Sequence, residues 1–180
     1  MKHLYFVRHG LSEANVARQW SGHTDHPLTL EGHEQAKKTA HAIKQQGLNF
    51  DIIVSSPLQR AHHTAKHIAT AVSYPHENIV LHDGFKERYF GELEGKHDLE
   101  SLNAYLLDET ALDKYKDAER FVDMQWRAQE MIDYLHTLPH DTVLVVAHGS
   151  FGRALQRAVN KAPLHERGKS IDNAELVKFI

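Results

Sequence analysis

Three segments of the chain end in residues suited to binding a phosphoryl group. Arg8 and His9 directly follow an apolar run, Ser55-Ser56 follow a second run with Arg60 one helical turn beyond, and His148 follows a third. Planar guanidinium groups bind two phosphoryl oxygens at once, and a neutral imidazole can attack phosphorus, so either histidine is a candidate nucleophile. If the three segments meet in the fold, these residues form an anion site.

The apolar runs have the character of buried β-strands. Segments 2–7, 51–55 and 142–147 are short and rich in β-branched or aromatic residues, as is typical of strands covered on both faces. We interpret them as central parallel strands, whose carboxyl ends meet at the sheet edge where such folds bind ligands. Weaker runs at 78–81 and 175–179 could add edge strands, and their places in the sheet order stay open.

Helical patterns lie between these strands. Thr29 is a candidate N-cap for a helix that stops at Gly47, and Ser56-Pro57 have the pattern that begins a second helix. Apolar residues from Phe121 to Leu138 recur at spacings of three or four, which predicts a third. This alternation predicts an α/β fold, a three-layer α/β/α sandwich with a mainly parallel central sheet, as one domain over residues 1–180.

The segment at about 93–119 is less regular and dense in charge. Leu99, Leu102, Leu106 and Leu107 suggest one helix within it. We interpret the segment as a helical insertion beside the sheet. Two roles are open for it: a solvated excursion, or a lid over whatever binds at the strand ends.

Composition limits the class of protein. A length of 180 residues fits one domain at roughly 150 residues per domain. With 21 Lys and Arg against 24 Asp and Glu, the net charge of −3 gives no global attraction to nucleic acid or an anionic membrane, and we expect neither partner. The absence of cysteine excludes disulfides, thiolate zinc sites and thiol nucleophiles. No signal peptide or membrane span is visible, so we expect a cytoplasmic protein.

Several separated motifs together resemble those of the histidine phosphatase superfamily, also called phosphoglycerate-mutase-like. They follow the order and intervals of that family across both halves of the chain. The motifs are Arg8-His9-Gly10 with Ser12 and Asn15, Thr24-Asp25 with Pro27-Leu28-Thr29, Ser55-Ser56-Pro57-Leu58-Gln59-Arg60-Ala61, the acidic loop from Glu87 to Gly95, and Val146-Ala147-His148-Gly149. The resemblance implies the family's α/β/α fold.

The resemblance also implies a role for each matching residue. His9 would be the nucleophile that becomes phosphorylated, and Glu87 would be the general acid and then the general base. The phosphoryl oxygens would be held by Arg8, Arg60, His148 and Asn15. Ser21, Gly22 and Gly149 would line the pocket. No metal or other cofactor is implied. Leu11 stands where relatives often carry a polar residue, which weakens any substrate inferred from those relatives.

Several residues have competing interpretations. Glu92 and Glu94 are rivals of Glu87 for the role of general acid. His63 and His67 have the i, i+4 spacing of a helical metal site, but the spacing indicates no third ligand, and we predict that they bind no metal. His23 and His26 follow Gly22 in a loop, where they are either exposed or face the substrate.

The function expected from these features is hydrolysis of a small phosphorylated metabolite through a phosphohistidine intermediate. Phe90-Gly91 and Glu94-Gly95 resemble the phosphatase branch, and the segment 95–99 is short of the basic residues that mutases of the family place there. A phosphoglycerate mutase is the first alternative. A non-catalytic module that binds phosphorylated ligands is the second. The identity of the metabolite and the oligomeric state are left open.

Overall fold

The computed structural model describes residues 1–180 and has a five-stranded sheet at its centre. The strands are β1 (His3–Arg8), β2 (Ile52–Ser55), β3 (Val80–Leu81), β4 (Thr142–Ala147) and β5 (Leu176–Lys178), in the order β3-β2-β4-β1-β5. All neighbours are parallel except β5, which runs antiparallel to β1. The mainly parallel sheet predicted from the sequence is therefore confirmed, and the two weak runs form its edges.

Six α-helices accompany the strands. They are α1 (Glu13–Val16), α2 (Leu30–Gln45), α3 (Gln59–Ala71), α4 (Leu99–Leu107), α5 (Phe121–Thr137) and α6 (Gly149–Asn160). Thr29 caps α2 as predicted, because its hydroxyl accepts the N–H of Gly32. The start predicted for α3 was wrong: its N-cap is Leu58, and the Ser56 hydroxyl is hydrogen-bonded to His148.

The strand sequences are continuously apolar because helices cover both faces of the sheet. Along β4, Val143 and Val145 point into a core formed with α5 and α6, whereas Leu144 and Val146 point into a core formed with α2 and α3. Successive side chains of a strand point to opposite faces, so both sets are buried. The result is the predicted α/β/α sandwich.

The insertion, defined here as residues 93–119, contains α4 and a 3-10 turn at Glu109–Leu112. The predicted helix is present, but Leu99, Leu106 and Leu107 are exposed on it, and Tyr105 is buried instead. Tyr105 packs with Trp20, Phe90, Leu93 and Leu112 in a small core of its own. The insertion is thus attached to the rest of the molecule by apolar packing on its inner face.

None of the helices combines the length and the apolar character needed to cross a bilayer.

Candidate active site

The carboxyl ends of three adjacent parallel strands bring the predicted residues together. Arg8 at the end of β1 pairs in register with Ala147 at the end of β4, so His9 and His148 follow neighbouring strands. Their rings lie 5.1 Å apart, centroid to centroid. β2 pairs with the other side of β4, which brings Ser56 within 2.8 Å of His148. The sheet topology therefore assembles residues from both ends of the chain.

His9 is buried and held in one tautomer. Its Nδ1 lies 2.7 Å from the Gly10 carbonyl oxygen. Because a carbonyl only accepts hydrogen bonds, we assign the proton to Nδ1, which leaves the Nε2 lone pair free. Burial, together with the charges of Arg60 and Arg8, lowers the pKa of His9 well below its usual value of 6.5. His9 is therefore a neutral imidazole at pH 7.

Gly10 is required by the close approach of two backbone segments. A Cβ at this position would lie 2.3 Å from the carbonyl oxygen of Gly32 in the first turn of α2. The Gly10 N–H donates to the Thr64 hydroxyl on α3. The segment that carries His9 is therefore fixed against both helices of one layer.

Two guanidinium groups are aimed at the same region by backbone carbonyls. Arg60 is 1% exposed, and its two terminal nitrogens donate to the carbonyls of Thr24, Ser21 and Gly22. Arg8 donates through Nη1 to the Ile171 carbonyl, while its buried Nε has no partner in the protein. Ser21 and Gly22 thus contribute carbonyl oxygens that orient Arg60.

His148 is completely buried beside His9. Its Nε2 lies 2.8 Å from the Ser56 hydroxyl, and its Nδ1 has no protein partner. Burial, followed by the charges of Arg60 and Arg8, lowers the pKa of His148 well below 6.5. We assign the Ser56 hydroxyl as the donor to Nε2, which places the proton of this neutral ring on Nδ1 as a free donor.

Glu87 lies against the amino-terminal end of α6. Its Oε1 accepts the N–H groups of Arg88 and Phe151, each at 2.9 Å, and its Oε2 accepts the Ser150 N–H at 3.0 Å. The Glu87 side chain is buried, and Ser150, one of its donors, lies two residues after His148 in the chain. Burial lowers the pKa of Arg8 and of Arg60. The negative charge of Glu87 acts in the opposite direction and is the largest of the effects that raise the pKa of each arginine. Glu87 is therefore an electrostatic neighbour of both guanidinium groups.

The rival carboxylates point elsewhere. Glu94 accepts the N–H groups of Gly22, His23 and Thr24 and the Thr24 hydroxyl, and so fixes the loop that orients Arg60. Burial raises the pKa of Glu94, but these hydrogen bonds outweigh it and lower the pKa below its usual value. Glu92 accepts the Lys116 N–H at the surface. Of the three carboxylates in this loop, Glu87 alone reaches the start of α6.

Asn15 and Gly149 complete the predicted set. The Asn15 side-chain oxygen accepts from the backbone and hydroxyl of Ser12, which leaves its Nδ2 available as a donor. Gly149 is the first residue of α6, where a Cβ would lie 3.3 Å from Arg8 Nε. Gly149 therefore lies beside Arg8, and Asn15 is connected to His9 through Asn173, whose side-chain amide donates to both the His9 carbonyl and Asn15 Oδ1.

Comparison with known proteins identifies the family of this chain. Residues 4–180 match the model of the histidine phosphatase superfamily (branch 1). This chain belongs to the histidine phosphatase superfamily. It is 33% identical over 168 residues to the 2,3-bisphosphoglycerate-dependent phosphoglycerate mutase of Brucella canis, covering 87% of this chain and 81% of the relative. A second such mutase, of Mesorhizobium japonicum, is 33% identical over 171 residues, with the same coverage.

Solved structures of phosphatases share the architecture. The phosphoserine phosphatase of Entamoeba histolytica in complex with 3-phosphoglyceric acid superposes with a TM-score of 0.80 at 28% identity, over 99% of this chain and 90% of that one. The mycobacterial glucosyl-3-phosphoglycerate phosphatase has a TM-score of 0.84 at 23% identity, over 99% and 92% of the two chains. The second likeness concerns the fold alone.

Two groups around the site of this histidine phosphatase superfamily member were not found from the sequence. The segment before β5 crosses the ends of β1: Asn173 donates to the His9 carbonyl, and the Ala174 N–H donates to the Arg8 carbonyl. The carbonyl of Glu87 accepts from Arg127 on α5 and lies 3.1 Å from His23 Nε2. Recognising that β5 is antiparallel to β1 would have placed its preceding loop at this edge.

Three histidines outside the site, His33, His63 and His67, form a separate group between α2 and α3. His33 Nδ1 lies 2.9 Å from His67 Nε2, and the ring of His63 is 5.9 Å from that of His33. No set of three histidine or acidic side chains is arranged to hold a metal ion. His26 is partly buried, and His23 is partly exposed against the ring of Tyr89.

Proposed function

We propose that this protein is a phosphomonoesterase that hydrolyses a small phosphorylated metabolite through a phosphohistidine at His9. The observation that supports this most directly is the state of His9. Its proton is held at Nδ1 by the Gly10 carbonyl, and its neutral Nε2 lies in a region shared by two guanidinium groups and a second imidazole. These are the requirements of a nucleophile for phosphorus.

Unpaired buried donors support binding of a phosphoryl group. Buried polar atoms nearly always have a hydrogen-bond partner, yet Arg8 Nε and His148 Nδ1 have none within the protein. Asn15 Nδ2 is a third available donor. Three phosphoryl oxygens would accept from these groups, with Arg60 supplying a further positive charge.

The first half-reaction follows from this arrangement. His9 Nε2 attacks phosphorus in line with the ester oxygen, a P–N bond forms and the P–O bond breaks. A proton from Glu87 passes to the leaving oxygen, which departs as an alcohol. Arg8 and Arg60 offset the charge that spreads over the phosphoryl oxygens in the transition state.

The second half-reaction reverses the proton transfer. The ionised Glu87 removes a proton from a water molecule, whose oxygen attacks phosphorus. The P–N bond breaks, inorganic phosphate leaves and His9 returns to its neutral form. In this scheme the arginines supply the positive charge, so we expect turnover to persist in the presence of EDTA.

The loop at Gly22 favours hydrolysis over the mutase reaction. A mutase must retain a substrate that carries a second anionic group. The N–H groups of Gly22, His23 and Thr24 would suit such a group, but the Glu94 carboxylate already accepts from all three. A second negative charge is therefore unfavourable at this loop. The 33% identity to phosphoglycerate mutases keeps the mutase reaction as the alternative.

The direct test is turnover of 4-nitrophenyl phosphate with and without EDTA, together with acid quenching to trap acid-labile phosphate on the protein. His9→Asn keeps a short side chain able to donate to the Gly10 carbonyl but has no nucleophilic nitrogen. We expect it to lose both turnover and trapped phosphate. His41→Ala, at an exposed position on α2, is the matched control and should retain both.

Four results would contradict the proposal. Substantial turnover in His9→Asn, or phosphate mapped to His148, would reassign the nucleophile. Formation of 2-phosphoglycerate from 3-phosphoglycerate and 2,3-bisphosphoglycerate, faster than phosphate release from any ester, would identify a mutase. Binding of phosphate esters with no phosphoenzyme and no product would indicate a binding module.

A further inference from the structure

Hydrogen bonds connect the insertion to the backbone that holds Glu87. The Tyr105 hydroxyl, on α4, donates to the Ser150 hydroxyl at 2.7 Å, and the Ser150 N–H donates to Glu87 Oε2 at 3.0 Å. All three residues are buried. Two hydrogen bonds and one residue therefore separate the insertion from the proposed general acid.

The Tyr105 hydroxyl is fixed in direction. Arg153 donates to the Tyr105 oxygen, which uses one lone pair and leaves the single hydroxyl hydrogen to be shared with acceptors. Ser150 is the nearer acceptor, since the alternative, Glu109 Oε1, lies 3.4 Å away. Burial raises the pKa of Tyr105, so the phenol remains a donor at neutral and mildly alkaline pH.

The same face of α6 is attached to the insertion over three successive turns. Ser150, Arg153 and Arg157 are spaced three and four residues apart and so share one side of the helix. The two arginines donate to the two oxygens of Glu109, at 2.8 and 2.7 Å. The axial position and rotation of α6 are thereby tied to the insertion.

The residue that follows Glu87 is attached to the insertion as well. Arg88 is completely buried, and its terminal nitrogens donate to the Glu109 carbonyl and to Asp113 Oδ1. Glu87 is therefore held from two directions by one segment: through its own backbone by Arg88, and through its carboxylate by the start of α6.

We propose that Tyr105 and Ser150 are positioning residues that set the orientation of the Glu87 carboxylate for proton transfer to the leaving oxygen. The inference rests on the proposed function. Oε1 accepts two N–H groups, whereas Oε2 accepts one, so Oε2 keeps the lone pair that carries the transferred proton. Proton transfer needs a heavy-atom separation of about 2.6–3.2 Å, and a displacement of about 1 Å can cost 10²-fold in rate.

The test compares two esters that differ in their need for an acid. Ser150→Ala and Tyr105→Phe each remove one hydroxyl, and both keep the Ser150 backbone N–H. We expect kcat/KM for glycerol 2-phosphate to fall about 10-fold in each variant, because an alkoxide leaves poorly without a proton. Phosphoenzyme formation from 4-nitrophenyl phosphate should stay within about 2-fold, because its leaving phenolate is stable without one.

Ser101→Ala is the matched control. Ser101 lies on α4, the helix that carries Tyr105, and is also buried. Its hydroxyl accepts a hydrogen bond of similar length, 2.8 Å from Trp20 Nε1, but it makes no contact that leads to Glu87. It should change the rates on both esters by the same factor. In a Glu87→Gln background, Ser150→Ala should add no further selective loss, which the double-mutant cycle measures directly.

The outcomes separate this inference from the proposed function. If Glu87→Gln selectively lowers the glycerol 2-phosphate rate while Ser150→Ala and Tyr105→Phe lower both rates equally, the positioning role is wrong and the proposed function stands. If Glu87→Gln itself lowers both rates equally, the assignment of the acid is wrong. Thermal unfolding reports the folded fraction, and because the two hydroxyls lie on different elements, failure of one variant to fold leaves the other to decide.

Discussion

At the scale of single residues, burial controls the chemistry of the site. His9 is 4% exposed and His148 is not exposed at all, whereas a histidine at a strand end would ordinarily be expected at the surface. Burial beside two arginines keeps both rings neutral. A neutral imidazole retains the lone pair that the proposed nucleophile needs, so in the proposed reaction the nearby positive charges would keep His9 neutral as well as bind phosphate.

The arginines have geometries that lysine cannot reproduce. We expect Arg8→Lys to reduce turnover by about 10²-fold, equivalent to about 2.7 kcal/mol of transition-state binding, because an ammonium group cannot bridge two phosphoryl oxygens. Steady-state kinetics on 4-nitrophenyl phosphate measure the loss. Arg120→Lys is the control, since Arg120 makes a two-point contact with Asp123 at the surface. Rates for Arg8→Lys within a few-fold of the wild type would place Arg8 outside the site.

At the scale of elements, the site depends on how closely α2 approaches the end of β1. The Gly10 position leaves no room for a side chain because the Gly32 carbonyl is directly opposite. Gly32 is itself constrained, since a Cβ there would lie 2.0 Å from the Leu11 carbonyl oxygen. The pair of glycines allows α2 to support the segment that carries His9.

Gly10→Ala tests this packing. We expect a loss of about 1–3 kcal/mol in the free energy of unfolding, because the clash is with backbone atoms, and a fall in turnover as His9 is displaced. Urea unfolding and turnover are measured together. Gly47→Ala is the matched control: its Cβ meets no neighbour, and only its positive φ of 67° carries a cost, about 1–2 kcal/mol. Gly47→Ala should leave turnover unchanged; an equal effect on turnover would contradict the packing argument.

At the scale of the whole molecule, the count of 16 histidines makes acid pH important. Protonation of all of them would change the formal net charge from −3 to +13. Most of that charge can be accommodated at the surface. Protonation of His9 or His148 in the folded state is unfavourable, because it would place a buried positive charge beside Arg8 and Arg60. They therefore couple folding to pH.

The sign of this coupling is fixed by the direction of the pKa shifts. Both folded-state pKa values lie well below 6.5, so below pH 6.5 the unfolded chain binds more protons than the folded one, and stability rises with pH. We expect the stability contributed by the two neutral rings to be fully present above pH 6.5. As the pH falls below 6.5, the free energy of unfolding decreases by an amount that approaches about 1.4 kcal/mol per pH unit for each ring.

Urea unfolding from pH 7.5 to pH 5 measures this slope. In His9→Asn one of the two buried histidines is absent. The contribution of His9 and His148 to the change of unfolding free energy with pH should therefore fall by about half. His41→Ala, which removes an exposed histidine, should leave the slope unchanged. An unchanged slope in His9→Asn would show that the pKa of His9 is not lowered by folding.

The sequence by itself was sufficient for the family, the fold and the meeting of the candidate site residues at the strand ends. Continuous apolar runs occur only where both faces of a strand are covered, so 142–147 indicated a central parallel strand. Parallel strands place their carboxyl ends at one edge, so the strand pattern alone predicted that Arg8, His9 and His148 lie close together. These conclusions depend on local patterns, the apolar runs and the residues that follow them, which can be recognised directly in the amino-acid sequence.

Contacts between segments distant in the chain were decided only by the tertiary structure. The family resemblance favoured Glu87, but the residues of the loop alone left Glu92 and Glu94 as rivals, and only packing against α6 separates the three carboxylates. Nothing in the sequence indicated that Tyr105 reaches Ser150, 45 residues away, or that Asn173 binds the His9 carbonyl. Hydrogen bonds of this kind depend on side-chain direction and depth of burial, which no local pattern of residues specifies.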